Sequence, residues 1–373
     1  MTIPFVDLKA QFRYLEGSIR RRIDTVLEHG QFILGPEVVE LEETLRTFAG
    51  SRCALGVASG TDALQIPMMA HGVGPGDAVF VPTFTFTATA EVPLLLGASP
   101  VFVDVEEDSF NLSIAHLRQC IEETLAEGRL RPRAIVAVDL FGLPADYASL
   151  HAIAEEFDLI LMADAAQSFG GSLDGRRVGS LAPITTTSFF PAKPLGGYGD
   201  GGAVFTDDEE LDDVMRSIRM HGKGDDRYDI VRVGVNGRLD TLQAAILLCK
   251  LEVFEEELDA RDALADRYDA ALSDVVRTPA RSAGRRSAWA QYTLQVDHRD
   301  AVRERLSEKG IPTAVYYPLP MHLQSAYRAH GKGEGSCPVS EALSQRVFSL
   351  PMHPYQSDEV TDRVCEEVRS ALG

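Results

Sequence analysis

The sequence predicts an α/β protein with a large domain on a mostly parallel sheet, followed by a small C-terminal α+β domain. Three observations lead there. Short, continuous apolar runs alternate with helical patterns through the middle of the chain, as strands covered on both faces do. Aspartates close three of those runs, at the strand ends where ligands gather in open α/β sheets. From about Leu239 the character changes to a long acidic helical pattern and shorter strands.

In chain order, the first fifteen or so residues read as an arm. Asp62 to His71 starts a helix, Ala78-Val-Phe-Val81 is a strand closed by Pro82, and Thr87 to Leu96 is helical. Pro100 to Asp104, Arg133 to Asp139, Leu159 to Asp164 and Thr185 to Phe190 are further strands. Asp104, Asp139 and Asp164 are therefore candidate site residues. Gly72-Val-Gly-Pro-Gly-Asp77 is glycine-rich but no helix follows it, so it reads as a turn. Leu239 to Leu272 reads as one long helix, with Leu242, Ile246, Leu247 and Leu251 on its buried face. Arg281 to Arg286 reads as an exposed loop. Ala290 to Val296, a helix near Ala301 to Lys309, and Thr313 to Pro318 complete the small unit. The expected division is an arm at 1–15, a large domain at 16–245 and a small one at 246–373.

Composition narrows the function. At 373 residues and 45% hydrophobic content, the core is amply supplied. A formal charge of −20 argues against a nucleic-acid or anionic-membrane surface, which needs a basic face. Five scattered cysteines without a Cys/His cluster argue against a zinc site or a disulfide framework. No signal peptide or membrane span is visible, and a reduced cytoplasm is the expected compartment.

Lys193 carries the chemistry. It follows the apolar, hydroxyl-rich stretch Leu181 to Phe190 and precedes five glycines in the seven positions Gly196 to Gly202. No other lysine has such a setting. Burial disfavours an ammonium ion, and a lysine with a lowered pKa can act as a nucleophile or form a Schiff base. Around it in sequence stand other modest signals. Ser59, Gly60 and Thr61 open a helix, either as a plain N-cap or as a phosphate cradle. Asp164 either caps the next turn or meets a protonated ring nitrogen, with Gln167 placed to bond a neighbouring ring oxygen. Phe84 and Phe86 are core aromatics or a ring that stacks on a planar cofactor. Ser188 is a buried hydroxyl bonded to backbone or an anion ligand. Together they describe a pyridoxal phosphate site with Lys193 and Asp164 as the catalytic pair, and no metal.

Ser59-Gly-Thr-Asp-Ala-Leu64, Asp164-Ala-Ala-Gln-Ser-Phe169, Ser188 to Gly202 and Arg232-Val-Gly-Val-Asn236-Gly-Arg238-Leu closely resemble the DegT/DnrJ family of sugar-nucleotide aminotransferases. The resemblance runs from Ile3 to Pro354. It implies the type I fold of pyridoxal phosphate enzymes, with a seven-stranded sheet, in a homodimer whose active sites lie between subunits. It places Ser59, Gly60, Thr61 and Ser188 at the phosphate, Phe86 on the ring, and Asp164 and Gln167 at its edge. Asn236 would reach the phosphate of the neighbouring subunit's cofactor, and Arg238 the substrate there. Arg232, Tyr316, Tyr317 and His322 are the other expected substrate contacts, with core packing or a solvated loop as their alternatives. The implied reaction moves nitrogen from L-glutamate to a keto-sugar nucleotide. Runs such as His29 to Glu37 and Pro312-Thr-Ala-Val315 are similar to the branch that aminates a 3-oxo UDP-N-acetylglucosaminuronic acid. Tyr316-Tyr317-Pro318 stands where the family often has His-Tyr-Pro, which weakens that substrate assignment. A dTDP-linked keto-deoxysugar, aminated at C3 or C4, is the other substrate reading, and a cofactor-binding regulator is the non-enzyme one.

Overall fold

A computed structural model describes residues 3–226 and 228–373. Helices α1 (Leu8–His29) and α2 (Pro36–Ala49) lead into strand β1 (Cys53–Val57) and helix α3 (Gly60–Ala70). Then come β2 (Asp77–Pro82), α4 (Ala88–Leu95), β3 (Ser99–Val103), α5 (Ile114–Glu127), β4 (Arg131–Val138), α6 (Tyr147–Glu156) and β5 (Ile160–Asp164). Two short strands, β6 (Ser172–Leu173) and β7 (Arg176–Arg177), precede β8 (Ile184–Ser188), β9 (Gly202–Thr206) and α7 (Glu209–Arg219). The chain continues through α8 (Thr241–Leu251), α9 (Phe254–Leu272), β10 (Arg285–Arg286), β11 (Tyr292–Gln295) and α10 (Arg299–Glu308). It ends with α11 (Pro338–Arg346), β12 (Val347–Leu350) and α12 (Asp358–Leu372).

Seven strands form the main sheet in the order β1-β9-β8-β5-β4-β2-β3. Only β9 runs against its neighbours, pairing antiparallel with both β1 and β8. Alternate residues of one strand serve opposite faces. Val79 and Val81 of β2 join Ala63, Ile66, Val92 and Met215 on one face. Ala78 and Phe80 join Leu117, Ile121, Leu150 and Ile153 on the other. Both faces are thus covered by helices, which is why these strands read as unbroken apolar runs. A separate core forms where β11 and β12 pair antiparallel, with Tyr268, Trp289, Tyr292, Leu306, Phe348 and Val364 packed together.

Side-chain caps set several helix starts: Asp7, Ser59, Asp208 and Ser357 each accept a hydrogen bond from an amide three residues on. Gly30, Gly50 and Gly128 end helices in the left-handed conformation that glycine adopts without a Cβ penalty.

The structure differs from several sequence expectations. Helix begins at Leu8, so half of the expected arm is helical. The single helix expected from Leu239 to Leu272 is two, α8 and α9, with Glu252 and Val253 at the break. Helix α8 has no single buried face, because every residue from Ala244 to Lys250 is buried. It also runs unbroken across 245/246, the proposed domain boundary. Arg285 and Arg286 form a strand with β6 rather than a free loop, and Arg286 pairs with Glu255, Asp259 and Asp262 of α9. Thr313 to Pro318 is not a strand; it touches the small sheet through one bridge, Ala314 to Ser349.

Candidate active site

The carboxyl ends of β5 and β8 and the N-terminus of α3 meet at one place. Ser59 caps α3: its hydroxyl accepts from the Asp62 amide at 3.0 Å and donates to the Asp62 carboxylate at 2.7 Å. The first bond from the α3 backbone to its cap is that of the Ala63 amide to the Ser59 carbonyl. The amides of Gly60 and Thr61 come before it and remain donors at a positive helix end. A Cβ on Gly60 would lie 2.7 Å from the Ser188 Cβ. One on Gly202 would lie 2.6 Å from the Ser59 carbonyl oxygen and 2.7 Å from that of Thr187. Glycine at both positions lets the helix start seat directly on the strand end, and so brings the Ser188 hydroxyl beside those amides. This is a cradle suited to a phosphate.

Asp164 ends β5 and is buried. Its carboxylate accepts from the Thr89 hydroxyl at 3.1 Å and from the Ala166 amide at 3.2 Å. Burial pushes its pKa up, while the Ala166 amide, the charge of Lys193 and the Thr89 hydroxyl pull it down. Burial pushes the Lys193 amine down, with Asp164 acting against it. A reactive amine and a carboxylate that favours a cationic partner therefore face one space. The Phe86 ring, from the turn after β2, is 56% exposed. Its burial awaits something flat.

Gln167 is fixed at both ends: its Oε1 accepts from the Phe141 amide at 2.6 Å, and its Nε2 donates to the Tyr317 hydroxyl at 3.3 Å. Tyr317 packs edge-on against Phe84, with ring centroids 6.0 Å apart. Phe84 is fully buried, so of the two phenylalanines in this turn one is core and the other is open. Tyr316 is half-buried against Phe5.

Beneath the site lies a polar layer around Asp139, a strand-end candidate in the sequence whose partner Ser168 the sequence did not reveal. Asp139, fully buried at the end of β4, accepts from the Ser168 hydroxyl at 2.7 Å, the Tyr147 hydroxyl at 2.8 Å and the Ala145 amide at 2.8 Å. Burial lifts its pKa to about 7 despite those donors. Ser168 is the residue after Gln167, so this anchor pins the turn that follows Asp164. Thr89 is a second missed residue; a threonine within an apolar helix was its one signal. Lys250 is a third. It is buried in α8, its Nζ donates to the Gly196 carbonyl at 2.6 Å, and it sits 4.1 Å over the Tyr198 ring. Burial lowers its pKa to about 8. Lys193 is therefore not the one lysine whose amine burial pushes down, but Lys250 is committed to holding the glycine-rich loop.

Two expected residues do other work. His322 is fully buried: its Nδ1 lies 2.7 Å from the Thr83 hydroxyl and its Nε2 3.0 Å from Glu341. Both ring nitrogens are engaged, so it is a structural tie and not a substrate contact. Asp104 accepts from the Val339 and Ser340 amides, each at 2.9 Å, and so holds the start of α11.

The segment from Arg232 to Arg238 is placed differently. Arg232 and Asn236 are exposed, and Arg232 borders a surface cavity with Met69, Val73, Val214, Ile218 and Val233. Asn236 bridges Met220, and Arg238 bridges Val57, two residues ahead of Ser59. The Arg238 Nε is buried and has no hydrogen-bond partner among the described residues.

A seven-stranded sheet with a single antiparallel strand, a helix-end cradle, and a strand-end Asp near a half-buried Lys define a pyridoxal-phosphate-dependent transferase of fold type I. Comparison with known proteins narrows this. Residues 14–369 match the DegT/DnrJ/EryC1/StrS aminotransferase family, and the chain belongs to that family. It is 47% identical over 366 residues to the UDP-2-acetamido-2-deoxy-3-oxo-D-glucuronate aminotransferase of Pseudomonas aeruginosa, covering 97% of this chain and 98% of that one. A DegT DnrJ EryC1 StrS aminotransferase from Brucella abortus matches all of both chains, with a TM-score of 0.98 and 51% identity. NtdA from Bacillus subtilis, solved with bound cofactor PMP, matches with a TM-score of 0.90 at 29% identity, over 100% of this chain and 85% of that one. The chain is an aminotransferase of sugar nucleotides that uses pyridoxal phosphate.

Proposed function

We propose that this enzyme transfers the amino group of L-glutamate to the C3 ketone of a UDP-N-acetyl-hexosaminuronic acid, as a cytoplasmic homodimer. The observation that carries the substrate is the near-complete match to the Pseudomonas aeruginosa enzyme. Among the described residues no helix is long and apolar enough to cross a membrane, consistent with a metabolite in water as substrate.

The residues present suit the cofactor. Gly60 and Thr61 would hold its phosphate through their amides, Ser59 by shaping the turn and Ser188 through its hydroxyl. Phe86 would cover one face of its ring, with Gln167 at its edge and Asp164 at its nitrogen. When bound, pyridoxal phosphate supplies an electron sink that makes a proton on the amine-bearing carbon acidic. Asp164 would stabilise a positive charge at the ring nitrogen. Lys193, with its amine biased toward the neutral form, would carry that proton between the amine-bearing carbon and the cofactor carbon across the shared nitrogen.

Substrate contacts are proposed for Arg232, Arg238, Tyr316 and Tyr317, the arginines meeting the anionic diphosphate or uronate and Asn236 the partner's cofactor phosphate. Exposed Phe32, Ile33 and Val233 (46%, 49% and 84%) offer apolar surface for such a second copy. A panel of 3-oxo and 4-oxo sugar nucleotides tests the substrate, run in reverse from amino sugar and 2-oxoglutarate. Turnover of the UDP-linked 3-amino uronate is expected. Turnover confined to dTDP-linked 4-amino sugars would sink the assignment.

A further inference from the structure

Behind the Lys193 turn lies a small, half-open cavity of about 10 Å³, lined by Asp7, Gln11, Lys193, Arg261, His353 and Tyr355 among others. Three of these side chains are more than nine-tenths buried: Gln11, Arg261 and His353. Each carries a polar atom with no hydrogen-bond partner among the described residues: Gln11 Oε1, Arg261 Nε, and both ring nitrogens of His353. Four such atoms around one small space is unusual, because buried polar atoms are nearly always paired.

Their bonding roles are fixed. The Gln11 Nε2 donates to both Glu257 oxygens, at 2.9 and 3.1 Å, so its Oε1 is left as an acceptor. Glu257 is itself held by the Tyr355 hydroxyl at 2.6 Å. The Arg261 Nη1 donates to the carbonyls of Trp289 and Met352, at 3.1 and 3.4 Å, so its Nε–H is left as a donor. Burial first, then the Arg261 charge, lower the His353 pKa to about 4, against Asp7. The ring is therefore neutral at working pH, with one donor and one acceptor. A space of about 10 Å³ is the size that holds one water molecule, and a buried water makes about three hydrogen bonds.

We propose that Gln11, Arg261 and His353 hold a single structural water in this cavity, and that His353 thereby acts as a positioning residue for the turn carrying Lys193. Pro191 and Pro194 both border the cavity. Neither has an N–H to give, and the Lys193 amide is engaged with the Phe190 carbonyl at 2.9 Å, so a water there can donate to the carbonyls of the turn. The site joins three distant parts of the chain to the reactive lysine: α1, α9 and the segment after β12. The inference rests on the reading of Lys193 as the reactive amine.

A high-resolution crystal structure of the holoenzyme is the first test. One solvent molecule should lie within hydrogen-bond distance of Arg261 Nε, Gln11 Oε1 and a ring nitrogen of His353. A dry cavity, or direct bonds among those atoms, overturns the proposal. The second test uses His353→Phe and, as a milder change should that variant misfold, Gln11→Met. Each is expected to bind pyridoxal phosphate, lose about tenfold in kcat with KM for glutamate unchanged, and shift the pH midpoint of the visible absorbance band. His353→Gln should recover part of the loss. A variant that only lowers Tm, with midpoint and kcat as in the wild type, overturns the positioning role. Failure of the Lys193 reading is distinguishable, since the wild type would then show no visible band that glutamate bleaches.

Discussion

The cradle around Gly60, Ser188 and Gly202 and the segment from Ile230 to Arg238 are both assigned to the active site, yet they are built in opposite ways. In the first, backbone and side chain press together until no Cβ fits at Gly60 or Gly202, and the Ser59 and Asp164 side chains are bonded within one chain. In the second, Ile230, Val231 and Val233 expose apolar side chains, and Arg232 and Asn236 point charge and amide outward. The contrast teaches that one region is finished by folding. The other leaves apolar side chains open to solvent, the kind of patch that often marks an interaction surface.

The comparison breaks most sharply at Lys193. Lys193→Ala should reduce the glutamate half-reaction by about 10³-fold or more, with Tm little changed, since proton transfer loses its carrier. Turnover at the wild-type rate would overturn the site. A subunit-mixing experiment sharpens the other side. Asn236→Ala should also be impaired, through the partner's phosphate. Mixing it with Lys193→Ala should then restore activity to about a quarter of wild type, because half the dimers are mixed and each holds one intact site. No recovery on mixing would mean that the segment serves its own chain.

The smallest effect concerns the layer under the cradle. The folded pKa of Asp139 is raised to about 7 from an ordinary carboxylate value, so the native state holds its proton more tightly than the unfolded state. The stability it contributes is full below about pH 4 and is lost as pH rises through about 7. Asp139→Asn should therefore cost about 1–3 kcal/mol at pH 5.5 and less at pH 8, read from urea denaturation. An equal cost at both values would show that the carboxyl does not titrate between them.

Much of this was legible in the chain because it is local. Lys193 stands out by its glycines, Asp164 by closing an apolar run, and Ser59 by its place before a helix; a strand end and a helix start need only neighbours in sequence. What was illegible depends on distant partners. His322 looked like a substrate contact, and only the fold brings Thr83, 239 positions away, against its ring. Thr89 acquires its meaning from Asp164, 75 positions on. The break between α8 and α9 leaves no glycine or proline to mark it, since Glu252 and Val253 both suit a helix. Lys250 was hidden for a different reason: a lysine in a helical pattern is normally solvated, and its carbonyl partner lies on the very loop that made Lys193 conspicuous.

Strand β9 also sets an order of assembly. The helix start that offers its amides is made by residues 59–61, but its seat is Ser188 and Gly202, and β9 is inserted between β1 and β8. A growing chain carries half of the cradle for some 140 residues before the other half exists, a span over which loop closure opposes pairing. A chain stopped short of Thr206 has no place for the phosphate. Cofactor capture can therefore come only late in synthesis, and an early arrest yields an inert fragment rather than a partial enzyme.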